Sequence, residues 1–253
     1  MSELIKITDR IYYFPFDDDK DRPVLGYIRG DRFSVAVDAG HSAEHVADFY
    51  RAIKMKGLPE PALTVITHWH WDHTFGMHAV KGKTMASRRT NAHLRQIIAT
   101  HDVSMTDLPA AGAPAGSSDT FTDSDGALLA RLISLDEHVA TEYAGGQQVI
   151  VKPADIEFED FAGVDAGGVE IDVTEAVSPH TDDTTFVYIP QERVLFTGDA
   201  VMGEWPSRYI DPDKMKQLIV KVGVLDFDLA VTGHWPPCSK EQLLADLKAN
   251  IYD

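Results

Sequence analysis

The distribution of hydrophobic positions in the first part of the chain predicts a run of short strands. Alternating and β-branched apolar residues favour strands, and turn residues such as Pro15 and the pair Gly30-Asp31 separate these runs. A helical spacing of apolar residues begins near Ser42, continues to Lys56 and stops at Gly57. The predicted strands are Leu4–Ile7, Ile11–Phe14, Val24–Ile28, Phe33–Val37 and Leu63–Ile66.

The second half of the chain returns to the strand pattern after residue 148. Helical patterns at Asp213–Val222 and Lys240–Ile251 enclose the last strand. Two batches of strands, each with helices, predict an α/β sandwich of two similar halves, although no internal repeat is strong enough to prove a duplication. The predicted strands are Val149–Val151, Ile156–Phe158, Val169–Val173, Thr185–Ile189, Val194–Phe196 and Leu229–Thr232.

The region 87–145 differs from the segments on either side in its composition and in the elements it predicts. Helices are predicted at Thr90–His101 and Gly126–Tyr143, and the intervening stretch 108–126 (LPAAGAPAGSSDTFTDSDG) favours a mobile loop. We therefore expect a single domain over 1–253 that carries a helical insertion at 87–145. The insertion is interpreted as a lid or an oligomer contact, and a plain surface loop is the simpler alternative.

The segment THWHWDH, residues 67–73, follows an apolar strand and concentrates metal-binding side chains. His68 and His70 are two residues apart, so an extended chain would point both to one side. Two converging imidazoles are typical of a transition-metal site, commonly zinc. Asp72 and His73 follow where the chain is expected to turn into a short helix, and they would face a neighbouring position. One loop would thus supply two metal positions.

Further ligands are expected later in the chain, because four side chains cannot saturate two metals. His180 lies just before the strand at Thr185, and Asp199 (TGDA) and His234 (TGHW) each follow an apolar run and a Thr-Gly pair. Glycine allows the sharp turn that brings such a side chain into a site.

These motifs, in their order and approximate spacing, resemble the metallo-β-lactamase superfamily over residues 24–236. The resemblance implies a four-layer αβ/βα sandwich. It also implies one metal held by His68, His70 and His180, and a second held by Asp72, His73 and His234, with Asp199 bridging both. Asp38, in VAVDAG, is similar to a residue of that family which makes structural hydrogen bonds, and we do not expect it to be a ligand.

The resemblance implies a hydrolase with two divalent ions, zinc foremost, with iron or manganese as alternatives. A bridging hydroxide would attack a small ester, lactone, thioester or lactam, and Asp72 would orient it or pass its proton on. Because Asp72 and His73 are both present, the chain is similar to the broader hydrolase branch rather than to antibiotic-cleaving members with a cysteine ligand. An iron-dependent oxidoreductase resembling persulfide dioxygenases, a phosphodiesterase or nuclease, and a non-catalytic metal-binding protein are the alternatives.

Substrate contacts are harder to assign. Trp205 and Trp235 are candidates to line an apolar pocket, and Tyr209 is a weaker one together with Arg208. Trp69 and Trp71 alternate with the histidines and would therefore point away from the metals into the core. The sequence SPHTDDT departs from the family's usual glycine-rich form. If Asp182 and Asp183 faced the metals, they would disfavour an anionic substrate; an orientation towards solvent is equally open.

The composition of the chain limits the kinds of partner that it is expected to bind. The formal net charge of −17 disfavours nucleic acid and anionic membrane, which leaves a small-molecule substrate. The single cysteine, Cys238, excludes an intrachain disulfide and a cysteine-rich zinc site. No signal-peptide pattern opens the sequence and no apolar run approaches 18 residues, so the cytoplasm is the expected location. No pattern predicts an oligomeric state.

Overall fold

The computed structural model describes residues 2–104 and 120–252, with the side chains of 251 and 252 left aside. In these ranges two β-sheets face each other and helices cover both outer faces. Most of the predicted mobile loop at 108–126 lies outside the described residues.

The first sheet has the strand order β1-β2-β3-β4-β5-β6-β9. Its strands are β1 (Ile5–Lys6), β2 (Ile11–Phe14), β3 (Leu25–Arg29), β4 (Ser34–Val37), β5 (Pro61–Val65), β6 (Lys83–Ser87) and β9 (Ile156–Phe158). Strands β1 to β4 pair antiparallel, whereas β4, β5, β6 and β9 are parallel. Because β4 and β5 run the same way, Asp38 and the 67–73 segment leave the sheet at one edge.

The second sheet has the order β10-β11-β12-β13-β14-β15. Its strands are β10 (Phe161–Asp165), β11 (Glu170–Glu175), β12 (Thr185–Ile189), β13 (Val194–Gly198), β14 (Leu229–Thr232) and β15 (Cys238–Ser239). Only β13 and β14 pair in parallel, so Asp199 and His234 follow strands that end at the same edge. A separate two-stranded ribbon joins β7 (Phe121–Thr122) to β8 (Ile150–Val151).

Seven α-helices accompany these sheets in the described ranges. They are α1 (Ala43–Met55), α2 (Trp71–Thr74), α3 (Arg88–Thr100), α4 (Ala127–Leu135), α5 (His138–Glu142), α6 (Pro212–Val224) and α7 (Lys240–Tyr252). The Ser42 side chain caps α1 by accepting hydrogen bonds from the backbone N–H groups of Glu44 and His45, which explains where the predicted helix begins.

The apolar side chains divide among layers as the four-layer prediction requires. Val37, Val65, Val187 and Phe196 belong to a core between the two sheets. Helix α1 packs on the outer face of the first sheet, and α6 and α7 pack on the outer face of the second. The αβ/βα sandwich is therefore confirmed.

Sequence patterns and structure differ where local signals are weak. The predicted helix Gly126–Tyr143 is divided into α4 and α5, because Asp136 leaves the helical conformation and its carboxylate accepts a hydrogen bond from the His138 N–H. Four strands were not predicted: β6, whose sequence KTMAS is mostly polar, the two-residue β7, which lies in the predicted mobile loop, the largely exposed β10, and the two-residue β15.

Helices α3 and α4 share an apolar cluster with Trp69 and Trp71 of the metal-binding segment. This part of the chain is thus packed directly behind the candidate site. No helix of the described ranges is long and apolar enough to cross a membrane.

Candidate metal centre

Seven side chains predicted from sequence converge where the strands of both sheets end. The first sheet supplies the segment after β5, and the second supplies the residue ahead of β12 and the residues after β13 and β14. They form two groups that could each hold a metal ion, His68 with His70 and His180, and Asp72 with His73, Asp199 and His234.

The three-histidine cluster consists of His68, His70 and His180. The Nε2 atoms of His68 and His180 lie 3.1 and 2.9 Å from Nδ1 of His70. Ligand nitrogens of tetrahedral zinc, at about 2.0–2.1 Å from the metal, are about 3.3 Å apart, so the spacing fits a shared ion. Burial lowers the pKa of all three histidines, and neighbouring imidazoles lower those of His68 and His70 further. Neutral imidazole is the form that binds metal.

The mixed cluster consists of Asp72, His73, Asp199 and His234. Oδ2 of Asp72 lies 3.1 Å from Nε2 of both His73 and His234. Oδ2 of Asp199 lies 3.4 and 3.3 Å from the same two nitrogens. Two carboxylates and two imidazoles around one point are a donor set that suits zinc, iron or manganese.

Attraction between the carboxylates and the histidines of the mixed cluster determines the direction of their pKa shifts. Burial would raise the pKa of the two carboxyl groups, but the adjacent His73 and His234 hold the pKa of Asp72 and Asp199 well below the usual range. Burial would lower the pKa of the two histidines, but the carboxylates raise the pKa of His73 and His234 well above normal. In the metal-free protein this cluster therefore holds protons that a cation must displace.

Asp199 lies between the two clusters. Its Oδ2 is 3.7 Å from Nε2 of His180 and 4.0 Å from Nε2 of His68, in addition to its contacts in the mixed cluster. Its Oδ1 is buried without a hydrogen-bond partner among the described residues, as is Nε2 of His73. Buried polar atoms without partners are costly, and two metal ions would satisfy them. The residues present thus fit a dinuclear centre.

Two glycines make this geometry feasible. A Cβ at Gly233 would lie 1.8 Å from Oδ1 of Asp199. Gly198 has φ +52°, and a Cβ there would lie 2.5 Å from Oγ1 of Thr67. The glycines of TGD and TGH are therefore required by close approach of the chain to the site.

A second layer of hydrogen bonds orients the imidazoles. Nδ1 of His73 donates to Oδ2 of Asp38 at 2.8 Å, and Asp38 also accepts from the backbone N–H and hydroxyl of Thr67. Nδ1 of His180 lies 2.8 Å from the carbonyl oxygen of Gly203. Such bonds fix the tautomer and leave Nε2 facing the metal position. Asp38 makes the hydrogen bonds predicted for it.

A cavity of about 470 Å³ opens above the two clusters. Trp205 and Trp235 line it, as expected, whereas Tyr209 is 59% exposed and lies outside the lining. Trp69 is buried in the core as predicted. Trp71 also joins that core but lines the cavity as well, because α2 begins at Trp71 and ends the strand-like alternation.

The expectation that Asp182 and Asp183 face the metals or the solvent is wrong. Asp182 accepts a hydrogen bond from Nε2 of His93 at 2.6 Å, and Asp183 is fully buried and accepts one from the Thr181 hydroxyl. Neither residue lines the cavity. His93, which carried no signal of its own, stacks on the Trp69 ring with centroids 5.2 Å apart, so it connects the two ligand-bearing loops.

Sequence reasoning missed three carboxylates of the cavity wall, Asp18, Asp21 and Asp136. They come from the turn after β2 and from the junction of α4 and α5. Nothing in either local sequence indicates that these two segments meet, so a motif could not have identified them.

Comparisons with known proteins agree with this arrangement. The family model of the metallo-beta-lactamase superfamily matches residues 24–234. A metallo-beta-lactamase from Pontibacter korlensis is similar in structure, with TM-score 0.65, 17% identity and 100% of both chains covered. A second, from Hirschia baltica, gives TM-score 0.63 and 15% identity over 98% of this chain and 96% of that one.

A further similar structure is a double mutant of the sec-alkyl sulfatase PisA1, with TM-score 0.61 and 14% identity over 99% of this chain and 41% of that one. At these identities the similarity concerns the fold. A comparison with curated proteins gives no match.

Proposed function

The chain belongs to the metallo-β-lactamase superfamily, and from that premise we propose that it is a dinuclear metal-dependent hydrolase acting on a small ester, lactone, thioester or lactam. The observation that carries the proposal is the position of Asp199, whose Oδ2 faces both clusters at 3.3–4.0 Å. A single carboxylate shared by two ligand sets is the arrangement expected when two ions act together on one bond.

Each ligand has a proposed place. His68, His70 and His180 would hold one ion, and Asp72, His73 and His234 would hold the other, with Asp199 between them. Bound divalent ions lower the pKa of water and polarise a carbonyl oxygen, which supplies both the nucleophile and the stabilisation of developing negative charge.

The remaining chemistry belongs to side chains of the cavity. Asp72 contacts the mixed cluster through Oδ2, so its Oδ1 is the atom we assign to orienting water and carrying a proton to the leaving group. Asp72 also lines the cavity, which supports a role for it beside a bound substrate. Trp71 and Trp205 form an apolar wall that would exclude bulk water from the reacting carbonyl.

The proposal is tested on protein whose metal content has been measured. Zinc-, iron- and manganese-loaded samples are assayed against a panel of 4-nitrophenyl esters, lactones, thioesters, lactams and phosphodiesters. We expect two ions per chain and hydrolysis of at least one carbonyl class, with His180→Ala inactive.

Three results would refute the proposal. They are activity confined to phosphodiesters, oxidation of persulfides by the iron form alone, and full activity of His180→Ala.

A further inference from the structure

We propose that the cavity selects substrates that carry an ammonium group on the side facing the rim, away from the bond that is hydrolysed. This inference rests on the proposed hydrolase function and specifies its substrate class. It follows from the carboxylates and aromatic rings of the cavity wall, which lie outside both metal clusters.

Asp21 is the innermost of these carboxylates. Its side chain is 17% exposed, and its Oδ2 accepts a hydrogen bond of 2.9 Å from Nε1 of Trp71. Within residues 2–104 and 120–252, no lysine or arginine lies within 4 Å of it. The nearest basic atom there is Nδ1 of His41, at 3.9 Å, and burial lowers the pKa of that imidazole. Burial and the nearby charge of Asp72 raise the pKa of the Asp21 carboxyl well above its usual range, and a cationic ligand would stabilise its ionised form.

Asp18 and Asp136 add negative charge at the rim. Asp18 is exposed and forms no ion pair in the described part of the chain, and Asp136 is paired only with the half-exposed imidazole of His138, at 3.0 Å. The opposing cation in the lining is Arg208, which is exposed on the loop after β13. Three carboxylates therefore face one guanidinium around the opening.

With two divalent ions bound, the charge of the cavity would change sign from floor to rim. Two divalent ions would bring four positive charges to a floor where Asp72 and Asp199 supply two negative ones. A carbonyl oxygen would be attracted to that floor, whereas a cation would be repelled from it and attracted to Asp18, Asp21 and Asp136. A substrate with a carbonyl at one end and an ammonium at the other would match both the floor and the rim of the cavity.

The aromatic residues of the cavity wall also favour binding of an ammonium group. Trp71 and Trp205 meet edge to face with centroids 4.4 Å apart, and Phe16 and Trp235 complete the lining. Indole and phenyl faces attract alkylammonium groups through their quadrupoles, most strongly where water is excluded. An apolar wall with carboxylates at its edge is selective for a cation that also carries alkyl carbon.

The segments that carry Asp21 and Asp136 are held together by a buried ion pair. Arg22, next to Asp21, contacts Oε2 of Glu142 at 2.7 Å, and the Glu142 carboxylate also accepts a hydrogen bond from the Ser42 hydroxyl. Arg22 and Glu142 are almost completely buried. The carboxylates are thus positioned before a ligand arrives, which lowers the entropic cost of binding.

The experiment uses esters of one acid that differ only in the charge of the alcohol: the choline ester, its neutral 3,3-dimethylbutyl isostere and the anionic 3-sulfopropyl ester. We expect kcat/KM for the choline ester to exceed that of the isostere about tenfold at low ionic strength, and the advantage to shrink as salt is added. Asp21→Asn, which keeps an acceptor for Trp71, and Asp136→Asn lower this ratio towards one. Asp226→Asn, an exposed carboxylate outside the cavity, is the matched control and leaves the ratio unchanged.

A second measurement separates the substrate class from the reaction. Binding of benzyltrimethylammonium, benzyl alcohol and benzenesulfonate to the metal-loaded protein is compared by calorimetry, which needs no turnover. Preference for the cation, reduced in Asp21→Asn, supports the inference even if no ester, lactone, thioester or lactam of the panel is hydrolysed, an outcome that would refute the hydrolase proposal alone. Equal binding of the three probes, or preference for the sulfonate through Arg208, overturns the inference even if hydrolysis is observed.

Discussion

The two ligand clusters lie side by side but are built from different chemistry. The three-histidine cluster contains only neutral imidazoles, whose pKa values burial lowers. The mixed cluster pairs two carboxylates with two histidines whose pKa values are raised. A cation entering the first cluster therefore competes less with protons than a cation entering the second.

Two ions of the same element bound at these clusters would therefore differ in how strongly their affinity depends on pH. The mixed cluster attracts a cation more strongly through its charge, yet it gives up that advantage as the solution becomes acidic.

The largest effect is expected for Asp199→Ala. Because Oδ2 of Asp199 faces both clusters, its removal weakens both metal positions, and we expect kcat/KM to fall by more than about 100-fold, beyond the loss typical of an outer-shell change. Metal content and activity are measured on the same sample. The exposed Asp226→Asn serves as the control, and two tightly held ions in the Asp199→Ala protein would contradict the bridging role.

Lowering the pH is expected to empty the mixed cluster first. The raised pKa values of His73 and His234 mean that these histidines become protonated at a higher pH than those of the three-histidine cluster. Metal affinity of the mixed cluster should fall about tenfold per pH unit for each displaced proton. Metal titrations at several pH values, in buffers of different ionisation enthalpy, measure both affinity and proton release. Loss of both ions over the same range of pH would contradict the expected difference between the two clusters.

Asp38→Asn tests the hydrogen bond behind the mixed cluster. Asp38 holds Nδ1 of His73 directly, at 2.8 Å, and reaches the three-histidine cluster only through Thr67, whose Oγ1 lies 3.1 Å from Nδ1 of His68. An amide at this position is a weaker acceptor, so we expect affinity for one of the two ions to drop about 10–100-fold. Equal weakening of both ions in a two-site titration would show that Asp38 acts through general stability instead.

The smallest effect is expected for His93→Phe. The substitution keeps an aromatic ring against Trp69 but removes the ion pair with Asp182, so the unfolding free energy should fall by about 1–3 kcal/mol. Urea unfolding of the metal-free protein measures it, with the exposed His101→Phe as a comparison. A change of metal stoichiometry in His93→Phe would mean that His93 does more than join the two loops.

The seven residues at the clusters could be found from sequence because their signals are local. The 67–73 segment, Asp199 and His234 follow apolar runs, and His180 lies just before one. The Thr-Gly pairs before Asp199 and His234 reflect close approaches that only glycine permits. Chain order and spacing then identified the family, which the match to residues 24–234 confirms.

The cavity wall could not be found in the same way, because its residues depend on contacts between distant segments. Asp21 and Asp136 are brought together by the buried pair of Arg22 and Glu142, which are 120 residues apart. Trp71 was assigned to the core from the alternation of a strand, and the start of α2 at that residue changed its direction. The proposed substrate selection would thus depend on tertiary contacts rather than on sequence motifs.

The division of ligands between the two sheets has a mechanical consequence. His68, His70, Asp72 and His73 follow a strand of one sheet, while His180, Asp199 and His234 belong to the other. Bound ions would therefore act as cross-links across the seam between two halves of the sandwich, and metal loading would raise resistance to unfolding by mass action. Neither half carries a complete site, so the proposed hydrolysis would take place at the contact between the two halves that the bound ions would hold together.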